Sequence, residues 1–400
     1  MATLTAREMP AEYWLLTLSV MLAFLHQGVF SVVLPAGVTE MTGSEFPAGV
    51  TLALFSIVSF TIRPVIGGRV DRLGSLPILV TGIAILAVCG YLLAVPVLAT
   101  IMLANALRGV GWAAVNTGGN VMVAQFATAE NRGKLSGYFT IAQSLATSLA
   151  PALALPLMRW WGYSPVAALA ATLAVASVIA AAGVHRLHWG TWRGIAPLAV
   201  FHRTPSPTGA RRSIERRALL PAGLLACLTL SQPGMTSFVP LYAQNFELQA
   251  WAASLYFVVY GVTSVVIRGL LSSYSDRFGR LQTAAVGHAC LLLGLVGMVL
   301  RPSELTLLLA GVVYSFGQSL LVPALMALVM DRVAPARMGA GMATHTAAFQ
   351  VGAAPGAFIL GWALTHWSYQ ASYALLTVGP LIGIAASVVS IRRTAADRDA

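Results

Sequence analysis

Apolar runs of about twenty residues, separated by short polar or charged breaks, recur along the whole chain. Each is long enough to cross roughly 30 Å of hydrocarbon as a helix. Twelve can be read, at about 12–36, 46–67, 77–95, 98–122, 135–157, 165–184, 218–240, 251–271, 282–300, 305–329, 338–363 and 370–390. They are predicted to be helices, because open strands would leave backbone groups unpaired in lipid. The first is too long for a signal-peptide core and has no clear small-residue cleavage site, so it is expected to stay as a helix.

The polar breaks repeat as well. Ile62-Arg63-Pro64 followed by Gly67-Gly68-Arg69-Val70-Asp71-Arg72-Leu73-Gly74 is answered by Ile267-Arg268-Gly269 followed by Ser272-Ser273-Tyr274-Ser275-Asp276-Arg277-Phe278-Gly279-Arg280. Asp71 and Asp276 stand 205 residues apart, and at the same spacing Gln27 and Pro35 answer Gln232 and Pro240, and Arg132 answers Arg337. Ala150-Pro151 answers Ala354-Pro355 one residue out of register. A hydrophobic module duplicated in this way is the signature of a secondary transporter whose site lies between two halves near the midplane. The expected division is a first six-helix bundle over 1–184, a cytoplasmic linker over 185–217, and a second bundle with a short cytoplasmic tail over 218–400.

Composition excludes a water-soluble domain, since 58% of residues are hydrophobic, 9% are charged and the mean hydropathy is +0.79. The net charge of +11 then has to be located. With both termini cytoplasmic, tails and inner loops hold 19 of the 24 Lys and Arg, outer loops hold Arg159 and Arg301, and Arg63, Arg108 and Arg268 lie inside spans. The basic run Arg211, Arg212, Arg216, Arg217 therefore reads as a topology signal, with no nucleic-acid partner expected. Trp14, Trp160, Trp161, Trp251, Trp362 and Trp367 fall near span ends, as an interfacial belt would place them. Cys89, Cys227 and Cys290 lie inside spans and read as packing residues, with no metal site and no cofactor expected.

Two six-helix halves, a basic central loop and the hairpin G-x-x-x-D-R-x-G at Gly67, Asp71, Arg72 and Gly74 resemble the major facilitator superfamily over nearly the whole chain. Arg63-Pro64 makes the chain most similar to the bacterial twelve-helix drug and metabolite efflux branch, including the arabinose-efflux-like permeases. Departures from the family pattern are Ser75 and Leu76 in place of a basic pair, Ser272 in place of the leading glycine of the second hairpin, and Ser148-Leu149-Ala150-Pro151-Ala152 where the antiporter motif is glycine-rich. The resemblance implies an all-α membrane fold of twelve helices in two pseudo-symmetric bundles. It also implies conformational gating by Arg63, Gly67, Asp71, Arg72 and Gly74, and by Arg268, Asp276, Arg277, Gly279 and Arg280. Asp71 would meet the positive N-terminal end of the eleventh helix near Met338, and Asp276 that of the fifth near Lys134.

Candidate chemistry within the spans is sparse. Asn105, Arg108, Trp112 and Asn116 are spaced by three, four and four residues, which puts them within an arc of roughly 80° on one helix face. A cation so far from either surface needs water, a counter-charge or a ligand, so Arg108 points to a substrate cavity, against the alternative of a packing stripe. His26 and Gln27 on the first span join this set, against the alternative that His26 is a hydrogen-bonded packing residue; Gln143, Gln232, Gln318, Gln350 and His345 are weaker candidates, and His288 reads as structural. His26 and Asp71 are the candidates for proton coupling. None of the thirteen Asp and Glu falls mid-span, which leans away from a cationic substrate.

The leading reading is a monomeric, proton-coupled exporter of a drug, sugar-like metabolite or metallophore, in a bacterial cytoplasmic membrane with lipid and small-molecule partners. The alternatives are an importer or facilitator of an organic anion, and a non-transporting receptor on the same fold. No nucleophile-base pair, ligand cluster or phosphate loop argues for an enzyme.

Overall fold

The computed structural model describes residues 10–126, 132–191, 214–271, 274–334 and 337–399, and these are helical throughout apart from short turns, with no strand among them. Six helices form the first half: α1 (Ala11–Thr42), α2 (Phe46–Leu73), α3 (Ser75–Leu93), α4 (Leu98–Phe126), α5 (Arg132–Trp161) and α6 (Tyr163–Thr191). The second half holds α7 (Leu219–Thr236), α8 (Val239–Asn245), α9 (Ala250–Leu270), α10 (Tyr274–Phe278), α11 (Arg280–Leu300), α12 (Glu304–Arg332), α13 (Met338–His366), α14 (Tyr369–Leu376) and α15 (Val378–Asp399). Twelve segments are long and apolar enough to cross a membrane, in agreement with the hydropathy pattern. Their outward faces carry Leu103, Leu153, Ile179, Leu293 and Leu309, all exposed, which suits a lipid environment.

Several helix ends run past the sequence reading, and three differences change the linker or the element count. The sixth helix continues past 184 to Thr191, and of the expected linker residues 192–213 lie outside the described part. The seventh span is broken into α7 and α8, where the N–H groups of Ser237 and Phe238 both bond to the Pro233 carbonyl and Pro240 opens the next helix. The twelfth span is interrupted at Thr377 between α14 and α15.

The duplication is visible in the local geometry. Gly74 ends α2 at φ +88° and Gly279 precedes α11 at φ +92°, so each hairpin is a one-residue reversal that a side chain would strain. Close helix packing is likewise duplicated. A Cβ on Gly82 would sit 2.9 Å from the Gly111 carbonyl oxygen, and one on Gly287 would sit 3.0 Å from that of Gly317. These small-residue seams bring α3 onto α4 and α11 onto α12 with backbones nearly touching. Buried polar pairs add specificity within each half: Ser19 and Ser177 join α1 to α6, and Ser231 bonds Tyr314 at 2.8 Å to join α7 to α12.

The halves meet through α2 against α13 and α5 against α9. At the end opposite the termini, Tyr369 donates to Glu45 Oε1 at 2.7 Å, and Phe46 N–H donates to Thr365 Oγ1 at 3.1 Å. Phe46 packs on Phe358, and a Cβ on Gly361 would lie 2.8 Å from the Gly49 Cα. That end of the molecule is closed.

Candidate functional site

A cavity of about 350 Å3 lies between the halves. Proline-bearing segments of α1, α5 and α7 bound it, together with α2, α4, α9, α12 and α13. Pro151 and Pro233 lie in its wall; a proline inside a helix removes one backbone bond and leaves a carbonyl exposed to a polar interior.

Arg108 is the deepest charge in the site. It lines the cavity yet is only 1% exposed, held by donation from Nη1 to Asn105 Oδ1 and from Nη2 to Gln27 Oε1, each at 2.5 Å. Its guanidinium carbon lies 4.7 Å from the Phe30 ring centre and 5.2 Å from that of Phe55. Asn105 is itself oriented by donating from Nδ2 to the Thr51 carbonyl at 2.8 Å, which leaves its oxygen for the arginine. No carboxylate pairs with Arg108 among the described residues, and its Nε has no partner. A desolvated cation held only by neutral amides and ring faces retains a strong preference for an anion.

A second cation completes the wall. Arg268 reaches the cavity from α9 and donates from Nη1 to Ser144 Oγ at 3.3 Å. Gln318 also lines it, with its Oε1 accepting from the Tyr260 hydroxyl, so the amide nitrogen is left to donate. Gln232 and Gln350 line the cavity too, and no Asp, Glu or His does so among the described residues.

The structure brings Gln27, Asn105, Arg108, Gln232, Gln318 and Gln350 together from the sequence candidates and leaves the others apart. His26 is fully buried on the far side of α1, with Nδ1–H donating to the Ala170 carbonyl at 2.9 Å and its ring edge-on to Phe30. Trp112 packs its ring against Phe24, and Asn116 bonds back to the Trp112 carbonyl. Those two share a helix face with Arg108 but lie nearer the end that carries the termini, outside the cavity lining, as does Gln143. His345 is buried away from the cavity, and His288 is wedged between the Ala284 and Leu224 carbonyls.

Arg63 and Arg268, equivalent by sequence, have different surroundings. Arg63 lies outside the cavity lining and its Nε is buried without a partner. Arg268 as a cavity residue is therefore what the duplicated pattern hid. Arg72 and Arg277 are exposed, Gly67 has open space around it, and Arg280 bonds Asp331 at 3.1 Å and Ser275 at 2.6 Å within the second half. The helix positions of Asp71 and Asp276 are described but their side chains are not, so the gating contacts expected of them lie outside the described residues.

Comparison with known proteins accounts for this architecture. The profile of the Major Facilitator Superfamily matches residues 16–304 and 250–400. The chain belongs to that superfamily. Its members are membrane transporters rather than enzymes. The chain is similar to an uncharacterised MFS-type transporter, YhhS of Escherichia coli K12, at 24% identity over 384 residues, covering 90% of this chain and 88% of the relative. A shorter stretch of 140 residues is 26% identical to multidrug resistance protein 1 of Bacillus subtilis, covering 35% of this chain and 36% of that one. Among solved structures, the peptide transporter POT aligns over 98% of this chain and 96% of its own at TM-score 0.77 and 12% identity. The nucleoside transporter NupG aligns over 94% and 99% at TM-score 0.71 and 14% identity. At such identities the structural likeness establishes the fold alone.

Proposed function

We propose that this superfamily transporter moves a small organic anion by alternating access, in the direction of export. The observation that carries the reading is the pair Arg108 and Arg268 in a cavity whose described lining holds no carboxylate. A neutral amide oxygen is a weaker acceptor for a guanidinium than a carboxylate or sulfonate is. An incoming anion therefore exchanges with Gln27 Oε1 on Arg108, while the amides of Gln232, Gln318 and Gln350 offer donors to its remaining oxygens. Phe30, Phe55 and Phe257 supply apolar surface for the body of the molecule.

Export rests on the resemblance to the drug and metabolite efflux branch and on the likeness to the Bacillus multidrug resistance protein. The positive-inside count supports cytoplasmic termini, and the bacterial relatives support a bacterial inner membrane. With that orientation the closed end faces outward, which favours loading from the cytoplasmic side. Proton antiport is the coupling expected from the family. Among the described lining residues it has no carboxylic acid or imidazole to run through, which favours a second coupling, potential-driven exit of the anion. An inside-negative potential supplies about 2.3 kcal/mol per charge per 100 mV to an anion leaving the cell.

The test is a thermal-shift screen of the purified transporter against matched organic anions, cations and neutral molecules. A ligand present at about one hundred times its Kd stabilises the folded state by ~2.7 kcal/mol. The stabilising compounds should be anionic and should lose their effect in Arg268→Ala. Stabilisation by cations alone would overturn the reading.

A further inference from the structure

Arg108 and Arg268 come from opposite halves of the molecule, and their partners fix how far apart they act. Tyr13 donates to the Leu135 carbonyl at 2.7 Å, and a Cβ on Gly28 would fall 2.7 Å from the Ala150 Cβ, so α1 and α5 lie side by side in a constant register of 122 residues. In that register Ser144 is level with Leu22, which precedes Gln27 on α1 and lies nearer the end that carries the termini. At about 1.5 Å per residue, the Ser144 hydroxyl that Arg268 bonds and the Gln27 amide that Arg108 bonds are therefore anchored about 8 Å apart along α1. Both arginines line the same cavity, and neither meets a carboxylate among the described residues. Two cations bordering one recessed space repel each other, and a single anionic group can compensate only one of them.

Resting on the proposed anion transport, we infer that the substrate is a dianion with its two anionic groups at opposite ends, one on Arg108 in the first half and the other on Arg268 in the second. Each end then exchanges a neutral partner, the Gln27 amide at one and the Ser144 hydroxyl at the other, for a charge-assisted bond. The chain between them lies against the apolar part of the lining, where Phe257 of the second half faces the site. Because the two arginines belong to different halves, a dianion ties the halves together across the cavity. A monoanion on Arg108 would leave the second half unengaged and Arg268 uncompensated.

The experiment measures binding to the purified full-length transporter by calorimetry at neutral pH. The probes are succinate, adipate and suberate, whose carboxylates stand progressively further apart, each beside its monomethyl ester, which keeps the length and removes one charge. Adipate or suberate should bind about tenfold or more tighter than its ester, and succinate, too short to reach both arginines, should gain less. In Arg268→Gln that ratio should fall close to one, whereas Arg268→Lys, which keeps the charge without the planar fork, should retain part of it. Thermal unfolding without ligand checks that both variants are folded, and the wild-type ratios are decisive even where a variant is not. Equal binding of diacid and ester at every length, or an unchanged ratio in folded Arg268→Gln, would overturn the inference while leaving anion selection by Arg108 intact. If neither diacids nor esters bind, the inference is overturned, and the screen of anions against cations and neutral molecules decides separately whether the anion reading stands.

Discussion

Replacing Arg108 by methionine separates binding from folding, because one should fall steeply and the other should hardly change. The side chain is 1% exposed and its charge meets two amide oxygens and two aromatic faces but no carboxylate among the described residues. A buried ion replaced by an apolar chain of similar length is neutral or stabilising, since the desolvation cost disappears with the charge. Loss of the ring contacts costs about 2 kcal/mol or more, which offsets that gain, and the freed oxygens of Asn105 and Gln27 border a cavity where water can reach them. The thermal midpoint of Arg108→Met should therefore stay within a few degrees of wild type. Binding should fall steeply. The ligand bond that replaces Gln27 and a second from the unpartnered Nε, at ~1.5–3 kcal/mol each, amount to a loss of roughly 10²–10⁴-fold in affinity. The assay is thermal unfolding in detergent alongside substrate flux in liposomes at matched protein levels. A variant that unfolds easily yet transports normally would refute the reasoning and make Arg108 a packing residue.

Three further outcomes follow from the same geometry. Gly361→Val places a branched side chain where even a Cβ would be 2.8 Å from Gly49 and 2.9 Å from the Glu45 carbonyl, so the end opposite the termini should no longer close. Cysteine probes in the cavity should then become labelled from that side, and unchanged labelling would count against the closure. His26→Ala should leave the pH dependence of transport unaltered, because the ring faces Ala170 and not the cavity; a shifted pH profile would restore it as a proton carrier. Tyr260→Phe frees the Gln318 oxygen, so the amide can turn and present an acceptor. Discrimination between an anion and its neutral amide should drop several-fold in a competition assay, and an unchanged ratio would contradict the orienting role.

Much of the scaffold is legible in the chain itself. Twelve apolar runs became twelve membrane-length segments, and the glycines closing each charged hairpin sit at the positive φ that the reversal needs. The interruption at Ser237 was marked in the sequence by Pro233 and Pro240, a signal that hydropathy alone passes over, whereas no proline lies in the segment that ends at Thr377. In the site, the helical period put Arg108 and Asn105 on one face and the structure keeps them together at the cavity. It also grouped Trp112 and Asn116 with them, because an arc on a helix says nothing about depth along its axis. Gln27 and His26 are neighbours about 100° apart, so only one could face inward, and packing against α6 took the histidine. The duplication did not show that Arg268 would line the cavity: it meets Ser144 across the seam, whereas Arg63 lies outside the lining.

The central claim is that the two cavity arginines select an anion, and charge movement in liposomes reports on it most directly. The purified transporter would be reconstituted with the anionic compounds that stabilise it, and flux followed while the membrane potential is set by a potassium gradient with valinomycin. The account predicts uptake that speeds up when the interior is made positive, that organic cations do not compete for, and that Arg108→Met and Arg268→Ala both suppress. Flux that accelerates with a negative interior, or that survives removal of both arginines, would contradict it.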